Sequence, residues 1–216
     1  MLRVNFTADD LARTRFSAAP APLIETGMAL LALRRASVAP GRPSAVPQWV
    51  REARRTFPAT ARPLLDLFGP YPPWPCLVDS PAPSLEEGLD FIRSIPRSAL
   101  RAELAAGCRN QRGRPPAWLQ NLAARDTETL DVVVRAVRDL HAAVIAPRWE
   151  SVVSSFHGDV ARRMPVLAAS GHQALFGTLH RQLRWEHGGL ERQGTDLEHD
   201  LGGNGMLAGF EHEMIS

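Results

Sequence analysis

The chain has 216 residues, of which 44% are hydrophobic, and its 25 basic and 23 acidic side chains leave a formal net charge of +2. This composition excludes a disordered tail and supplies enough apolar side chains for one domain or two small ones. All the basic residues are arginine, and they alternate with acids along the predicted helices. That alternation is typical of a solvated surface and not of a face that binds nucleic acid.

Two features of the chain favour a cytoplasmic location. No apolar run approaches the roughly 20 residues that a membrane-spanning helix needs. Polar residues from Arg3 to Asp10 interrupt the apolar core that a secretory signal requires. Cys76 and Cys108 lack the C-x-x-C spacing of zinc and redox sites, and we expect both to be small buried side chains. The sequence therefore predicts a cytoplasmic protein with no membrane segment and no structural disulfide.

The first predicted elements are a short strand and a capped helix. Apolar and polar residues alternate over residues 2–6, which is the period of a β-strand. Thr7 is suited to cap the following helix, and Asp9 and Asp10 lie favourably near the positive end of that helix. Because so short a strand is not stable alone, we expect it to pair with a strand from residues 183–201.

Further helices are predicted over residues 22–35, from Pro47 onward and over residues 98–108. Ser84 and Glu87 have the spacing of a capping box, which predicts that another helix begins directly after Ser84. Each of these helices carries apolar residues at helical spacing, so each can bury one side against a core.

A proline-rich segment at residues 68–76, "FGPYPPWPC", interrupts the helices, because proline cannot continue a helix. One interpretation is a polyproline ligand for another protein. The other is that Tyr71 and Trp74 fill the core or the mouth of a pocket. We favour the second, since the segment lacks a repeated P-x-x-P pattern and lies in the middle of a domain.

The clearest helical periodicity occurs in two consecutive stretches, residues 130–145 and 149–164. Each carries apolar side chains along one face, and Pro147 supplies a break between them. We expect these helices to form an antiparallel pair at the centre of the core, with Val137 and Phe156 among the buried side chains.

The sequence pattern changes from Gly171 onward, where long helical periodicity gives way to short segments separated by glycines. A short helix over residues 173–179 and two or three small strands are predicted there. The whole pattern indicates a mainly α (α+β) fold, a multi-helix domain with a few short strands from the two chain ends. We expect this domain to span residues 1–201, followed by a glycine-rich, irregular tail at residues 202–216.

No pattern identifies a catalytic, cofactor-binding, metal-binding or DNA-binding residue. Six of the seven histidines lie between His157 and His212, but none is paired at the spacing that places two imidazoles on one helix face. The glycines of residues 203–209 lack the following helix that a dinucleotide-binding turn needs. His157 and Asp159 could pair a base with a carboxylate, but no nucleophile accompanies them. We therefore expect neither an enzyme nor a cofactor.

Several segments, taken in order, resemble one family. They are "LRVNFTADDLARTRF", "PQWVREAR", "PPW…D", "ELAA", "IAPRWESVVSSFHGDVARR", "GHQALFGTLHRQLRW" and "DLGGNGMLA". Together they resemble the N-terminal region of actinobacterial ArsR-like transcriptional regulators. In that family a C-terminal winged helix follows and reads DNA. Here the glycine-rich segment continues into "GFEHEMIS", so the resemblance implies a chain that is truncated before the winged helix, by a frameshift, an early stop or a misplaced gene boundary.

The resemblance implies the sensory or dimerising half of a transcriptional regulator. Its partners would be a second copy, an unknown small-molecule effector, and DNA only through the missing winged helix. The alternative is a stand-alone small-molecule-binding domain, in which the Trp- and Pro-rich segments line a cavity between helices. An enzyme of unrecognised type is a third possibility, but it needs a convergent polar site that the sequence does not indicate.

Overall fold

The computed structural model describes residues 3–38, 47–68, 75–108, 116–179, 183–186 and 189–192. These residues are mainly helical, which confirms that part of the expected fold class. The elements in chain order are β1 (Arg3–Asn5), α1 (Ala8–Arg13), α2 (Pro22–Val38), α3 (Gln48–Arg55), α4 (Arg62–Leu67), α5 (Leu85–Ser94), α6 (Arg97–Cys108), α7 (Ala117–Ala123), α8 (Thr127–Leu140), α9 (Trp149–Gly177), β2 (Leu183–Glu186) and β3 (Gly189–Arg192). Single turns of 3-10 helix occur at Ala59–Ala61, Cys76–Val78 and Ala146–Arg148, and a π-helix spans His141–Ile145.

The chain divides into two compact units. The helical unit is Pro20–Trp149. The terminal unit combines Met1–Ala19 with Glu150–Ser216, so it joins residues from both ends of the chain. The boundary expected at residue 201 and the tail beyond it lie outside the described residues. Over the ranges described, no helix is long and apolar enough to cross a membrane.

The core of the helical unit forms around α8. This helix packs against α4, α5, α7 and the turn at Ala59–Ala61. Its apolar residues recur every three or four positions, and the buried ones are Leu130, Val133, Val134, Ala136, Val137 and Leu140. Burial of each large side chain contributes about 1.5–3 kcal/mol, so this face is a major source of stability. The expected burial of Val137 is confirmed.

Two glycines allow α2 to approach its neighbours closely. Helix α2 packs against α5 and against the turn at Cys76–Val78. A Cβ atom added at Gly88 of α5 would lie 2.9 Å from the Cβ atom of Leu23 in α2. One added at Gly27 of α2 would overlap the side chain of Val78. The separation of these elements therefore depends on the missing side chains at both glycines.

The predicted helix caps are present in both units. The Thr7 hydroxyl accepts the backbone N–H of Asp10 at 3.1 Å, and the Asp10 carboxylate accepts the Thr7 N–H at 2.8 Å. The Ser84 hydroxyl accepts the N–H of Glu87 at 3.2 Å. Both sites were expected from sequence alone because a cap is formed by residues that are close together in the chain.

The expected antiparallel pair of helices at the centre of one core is not found, because residues 130–145 belong to the helical unit and residues 150–164 belong to the terminal unit. Pro147 lies in the first turns of a new helical segment, where its missing N–H is tolerated. The preceding π-helix widens the turn that the proline ring would otherwise crowd. No residue from 149 to 164 is buried, so Phe156 is not a core side chain.

The terminal unit contains a small sheet with the strand order β1-β3-β2. Both pairs are antiparallel, and Arg3 pairs with Glu191 and Asn5 with Gly189. The partner of the N-terminal strand therefore comes from the region where it was expected. Helix α9 is interrupted at Gly171, whose φ of 74° and ψ of −175° are accessible to glycine and strained for other residues. The short helix expected over residues 173–179 is the part of α9 after this break.

Candidate functional site

Several residues singled out from the sequence lie outside the described ranges. They are Tyr71, Trp74, His180, His187, His199, His212 and the glycines of residues 203–209. Among the residues that are described, no group of three or more His, Cys, Asp or Glu side chains could hold a metal ion.

The His157 and Asp159 pair does not form a base and carboxylate couple. The Asp159 carboxylate accepts hydrogen bonds from Arg162 at 2.8 Å and from Arg163 at 2.6 Å. The Nε2 atom of His157 lies 3.4 Å from the backbone oxygen of Ala18. Asp159 therefore belongs to a structural ion-pair cluster, and neither side chain is positioned for proton transfer to the other.

Cys76 is exposed, which corrects the expectation that it is a buried side chain. Partial desolvation and the negative charges of Asp79 and Glu103 raise the pKa of its thiol to about 12. The thiol is therefore protonated at neutral pH and is a poor nucleophile or metal ligand. The side chain of Cys108 lies outside the description.

The residues most suggestive of a binding site are in the helical unit, and sequence reasoning missed them. Two side-chain nitrogen atoms there are buried and have no hydrogen-bond partner, Nε of Arg34 in α2 and Nε2 of His141 in the π-helix. Native interiors satisfy most buried polar atoms, so an unpaired one indicates a place where a water molecule or a ligand can bind. The element that carries Arg34 packs against the element that carries His141.

His141 has the clearer surroundings of the two. It is the first residue of the π-helix, a rare element that occurs frequently at functional sites. Its ring centroid lies 6.2 Å from that of Trp149, at an interplanar angle of 54°. Burial lowers the pKa of His141, so the imidazole is neutral at pH 7 and its Nε2 atom can donate or accept one hydrogen bond. We call His141, with Trp149 beside it, the His141 site.

Glu25 is a separate polar feature of α2. Burial raises the pKa of its carboxyl from 4.5 to about 7. Glu25 and Arg34 are nine residues apart on one helix, which places them about 13 Å apart along the axis and on opposite sides of it. The two side chains therefore cannot hold the same small ligand. Glu25 follows Leu23 and Ile24 in an apolar stretch, and that placement was the sequence signal for a partly buried acid.

The Nε2 atom of His141 has no hydrogen-bond partner among the described residues, and the indole ring of Trp149 lies beside the imidazole. A buried nitrogen of this kind can form one hydrogen bond with a bound polar atom.

Comparison with known proteins adds no identification. No family model matches the chain, and no curated protein and no solved structure is significantly similar to it.

Proposed function

We propose that this chain is the N-terminal regulatory part of an ArsR-like transcriptional regulator of the actinobacterial type, acting in the cytoplasm. One observation carries the proposal. The most specific segments of the resemblance, residues 2–16, 146–163 and 175–185, contribute to most of the described elements of the terminal unit. Segments that are far apart in sequence thus meet in one structural unit.

Residues of those segments contact one another within the terminal unit. Phe6 stacks on Phe176 with ring centroids 5.1 Å apart and on Trp185 at 5.5 Å. Arg163 donates to the hydroxyl of Thr178 at 3.1 Å. The resemblance therefore falls on residues that pack against one another.

In this proposal the DNA-reading winged helix is not part of the chain. Arginines that could contact phosphates are engaged with acids instead, among them Arg13 with Asp10, Arg138 with Glu86 and Arg148 with Glu52. A recognition element usually concentrates unpaired basic charge on one face. The chain alone is therefore expected to show no sequence-specific binding to DNA.

A titration against promoter fragments from the chain's own locus tests the proposal, at low and physiological salt. The matched sample is a version extended through the downstream reading frame. We expect only the extended version to protect a discrete site at physiological salt, and any retention of the short chain to disappear as salt rises. Protection of a discrete site by the 216-residue chain would contradict the proposal.

The second candidate function is a stand-alone small-molecule-binding domain, and the unpaired nitrogen of His141 is the observation that favours it. Native mass spectrometry of the chain purified from its own host tests this function. A bound mass that is present in the wild type and lost in His141→Phe supports it, because phenylalanine keeps the ring and removes the hydrogen-bonding atom. Absence of any bound mass from the wild type counts against it.

A further inference from the structure

The break in α9 depends on one residue. At Gly171 the backbone adopts a φ of 74°, but an added Cβ atom would meet no other atom within 4 Å. Glycine is therefore required there by conformation and not by lack of space. Residues 168–170 before the break and Gln173 after it are exposed, so no packed side chain of these residues holds the bend. The bend is maintained by contacts farther along the chain.

Those contacts join the segment after Gly171, which we call the arm (α9 from His172, with β2 and β3), to the rest of the terminal unit. Phe176 of the arm is fully buried and stacks on Phe6. Strand β3 pairs with β1. Arg163, held by Asp159 at 2.6 Å, donates to Thr178 across the bend. Each of these contacts joins the arm to residues that precede Gly171, which we call the hinge. None of them requires the arm and those residues to belong to the same molecule.

We propose that a second copy of this chain is the partner of the arm. When Gly171 takes helical angles, α9 becomes continuous, and Arg163 and Thr178 move to about 22 Å apart along the axis. The released arm then docks on the β1, Phe6 and Arg163 of a second copy, whose arm docks in return. The exchanged dimer re-forms every contact of the closed monomer, so its formation depends mainly on the energy of the hinge and on protein concentration. This inference does not depend on a role in transcription.

The hinge gives a substitution with a defined sign. Alanine is disfavoured at a positive φ but is the best residue in a continuous helix. Gly171→Ala therefore penalises the bend and favours the straight form, by about 10-fold to 100-fold per protomer. Gly158→Ala is the matched control, because Gly158 also lies in α9 with open space around it but has no positive φ. That change favours the helix equally in both forms and is expected to leave the monomer–dimer balance unchanged.

A disulfide can report which molecule supplies the arm. Asn5 of β1 and Gly189 of β3 are directly paired. The Cα atoms of such antiparallel pairs are about 4.5–5.5 Å apart, within the range that a disulfide spans. In a chain whose Cys76 and Cys108 are replaced by serine, Asn5→Cys with Gly189→Cys joins residues of one chain in the closed monomer. In the exchanged dimer the same pair joins two chains.

The proposal is decided by sedimentation and non-reducing electrophoresis of three chains that carry the cysteine pair: the otherwise wild-type chain, Gly171→Ala and Gly158→Ala. We expect Gly171→Ala to be a dimer with interchain disulfides at concentrations where the wild type and Gly158→Ala are monomers with intrachain ones. A monomeric Gly171→Ala, or a dimer whose disulfide stays within each chain, overturns the proposal. If Gly171→Ala does not fold, the chain that carries the cysteine pair and retains Gly171 decides the proposal. Its interchain disulfide must then increase with protein concentration. Absence of that disulfide at the highest soluble concentration overturns the proposal.

Discussion

Helices α8 and α9 have similar apolar patterns but very different surroundings. Six residues of α8 are buried, whereas α9 has none before Leu175. Helix α8 is enclosed by three other helices and a 3-10 turn of the helical unit. From Glu150 onward α9 belongs to the terminal unit, where the described elements are few and short. Periodicity thus identifies the face that is buried, and the number of available partners determines how completely it is buried.

The largest expected effect tests this difference directly. Leu140 in α8 is fully buried, and Leu167 in α9 is only partly buried. We expect Leu140→Ala to cost about 2–5 kcal/mol, because it removes buried methyl groups and leaves a cavity. Leu167→Ala makes the same chemical change and is expected to cost less than about 1.5 kcal/mol. Hydrogen exchange of peptides from each unit measures both values separately, and equal costs would contradict the comparison.

Glu25, a partly buried acid, provides the second test, and the sign of its effect on stability depends on pH. The pKa of Glu25 is raised in the folded chain, so the unfolded chain loses this proton first as pH rises. The carboxyl therefore costs nothing below its ordinary pKa of 4.5, and its penalty grows until pH passes about 7. Glu25→Gln is expected to stabilise the helical unit at pH 8 by up to about 3 kcal/mol and not at pH 4.

The exposed acid of α9 is the control for Glu25. Glu150 is exposed, and a helical turn precedes it directly, so its charge is not desolvated by the fold. Glu150→Gln is therefore expected to change stability by less than about 0.5 kcal/mol at either pH. Urea denaturation at both pH values measures the two variants. A Glu25→Gln variant with no gain at pH 8 would show that the carboxyl is solvated in the folded chain.

The smallest effects are expected where the two units should not differ. Thr7 caps α1 in the terminal unit, and Ser84 caps α5 in the helical unit. Each cap is made within one turn of helix, so its contribution does not depend on the surrounding packing. We expect Thr7→Ala and Ser84→Ala to cost about 1 kcal/mol each, measured by hydrogen exchange in α1 and α5. A cost at Ser84 several times that at Thr7 would show that even the caps depend on burial.

The features that the sequence predicted correctly share this local character. The caps at Thr7 and Ser84 and the burial of Val137 follow from residues within one or two turns of helix. The burial expected of Phe156 was wrong, because helical periodicity does not say which unit of the fold a helix joins. The π-helix at His141–Ile145 was not predicted either.

The residues of the His141 site were missed for a related reason. Six histidines follow residue 156, whereas His141 lies inside a predicted core helix, where no pattern distinguishes it from a packed side chain. Its unpaired nitrogen is a property of the folded environment and has no signature in the sequence. The spacing between Cys76 and Cys108 likewise did not indicate that Cys76 is exposed.

The close approach at Gly27 has a consequence for how related sequences can diverge. Because a side chain at position 27 would overlap Val78, the two positions share one fixed volume. A larger residue at position 27 is tolerable only where position 78 has become smaller, so the two positions should vary together across homologues. Gly88 differs, because its added Cβ atom would meet the Cβ atom of Leu23, which every residue except glycine carries. Position 88 is therefore expected to remain glycine, whereas positions 27 and 78 can change as a pair.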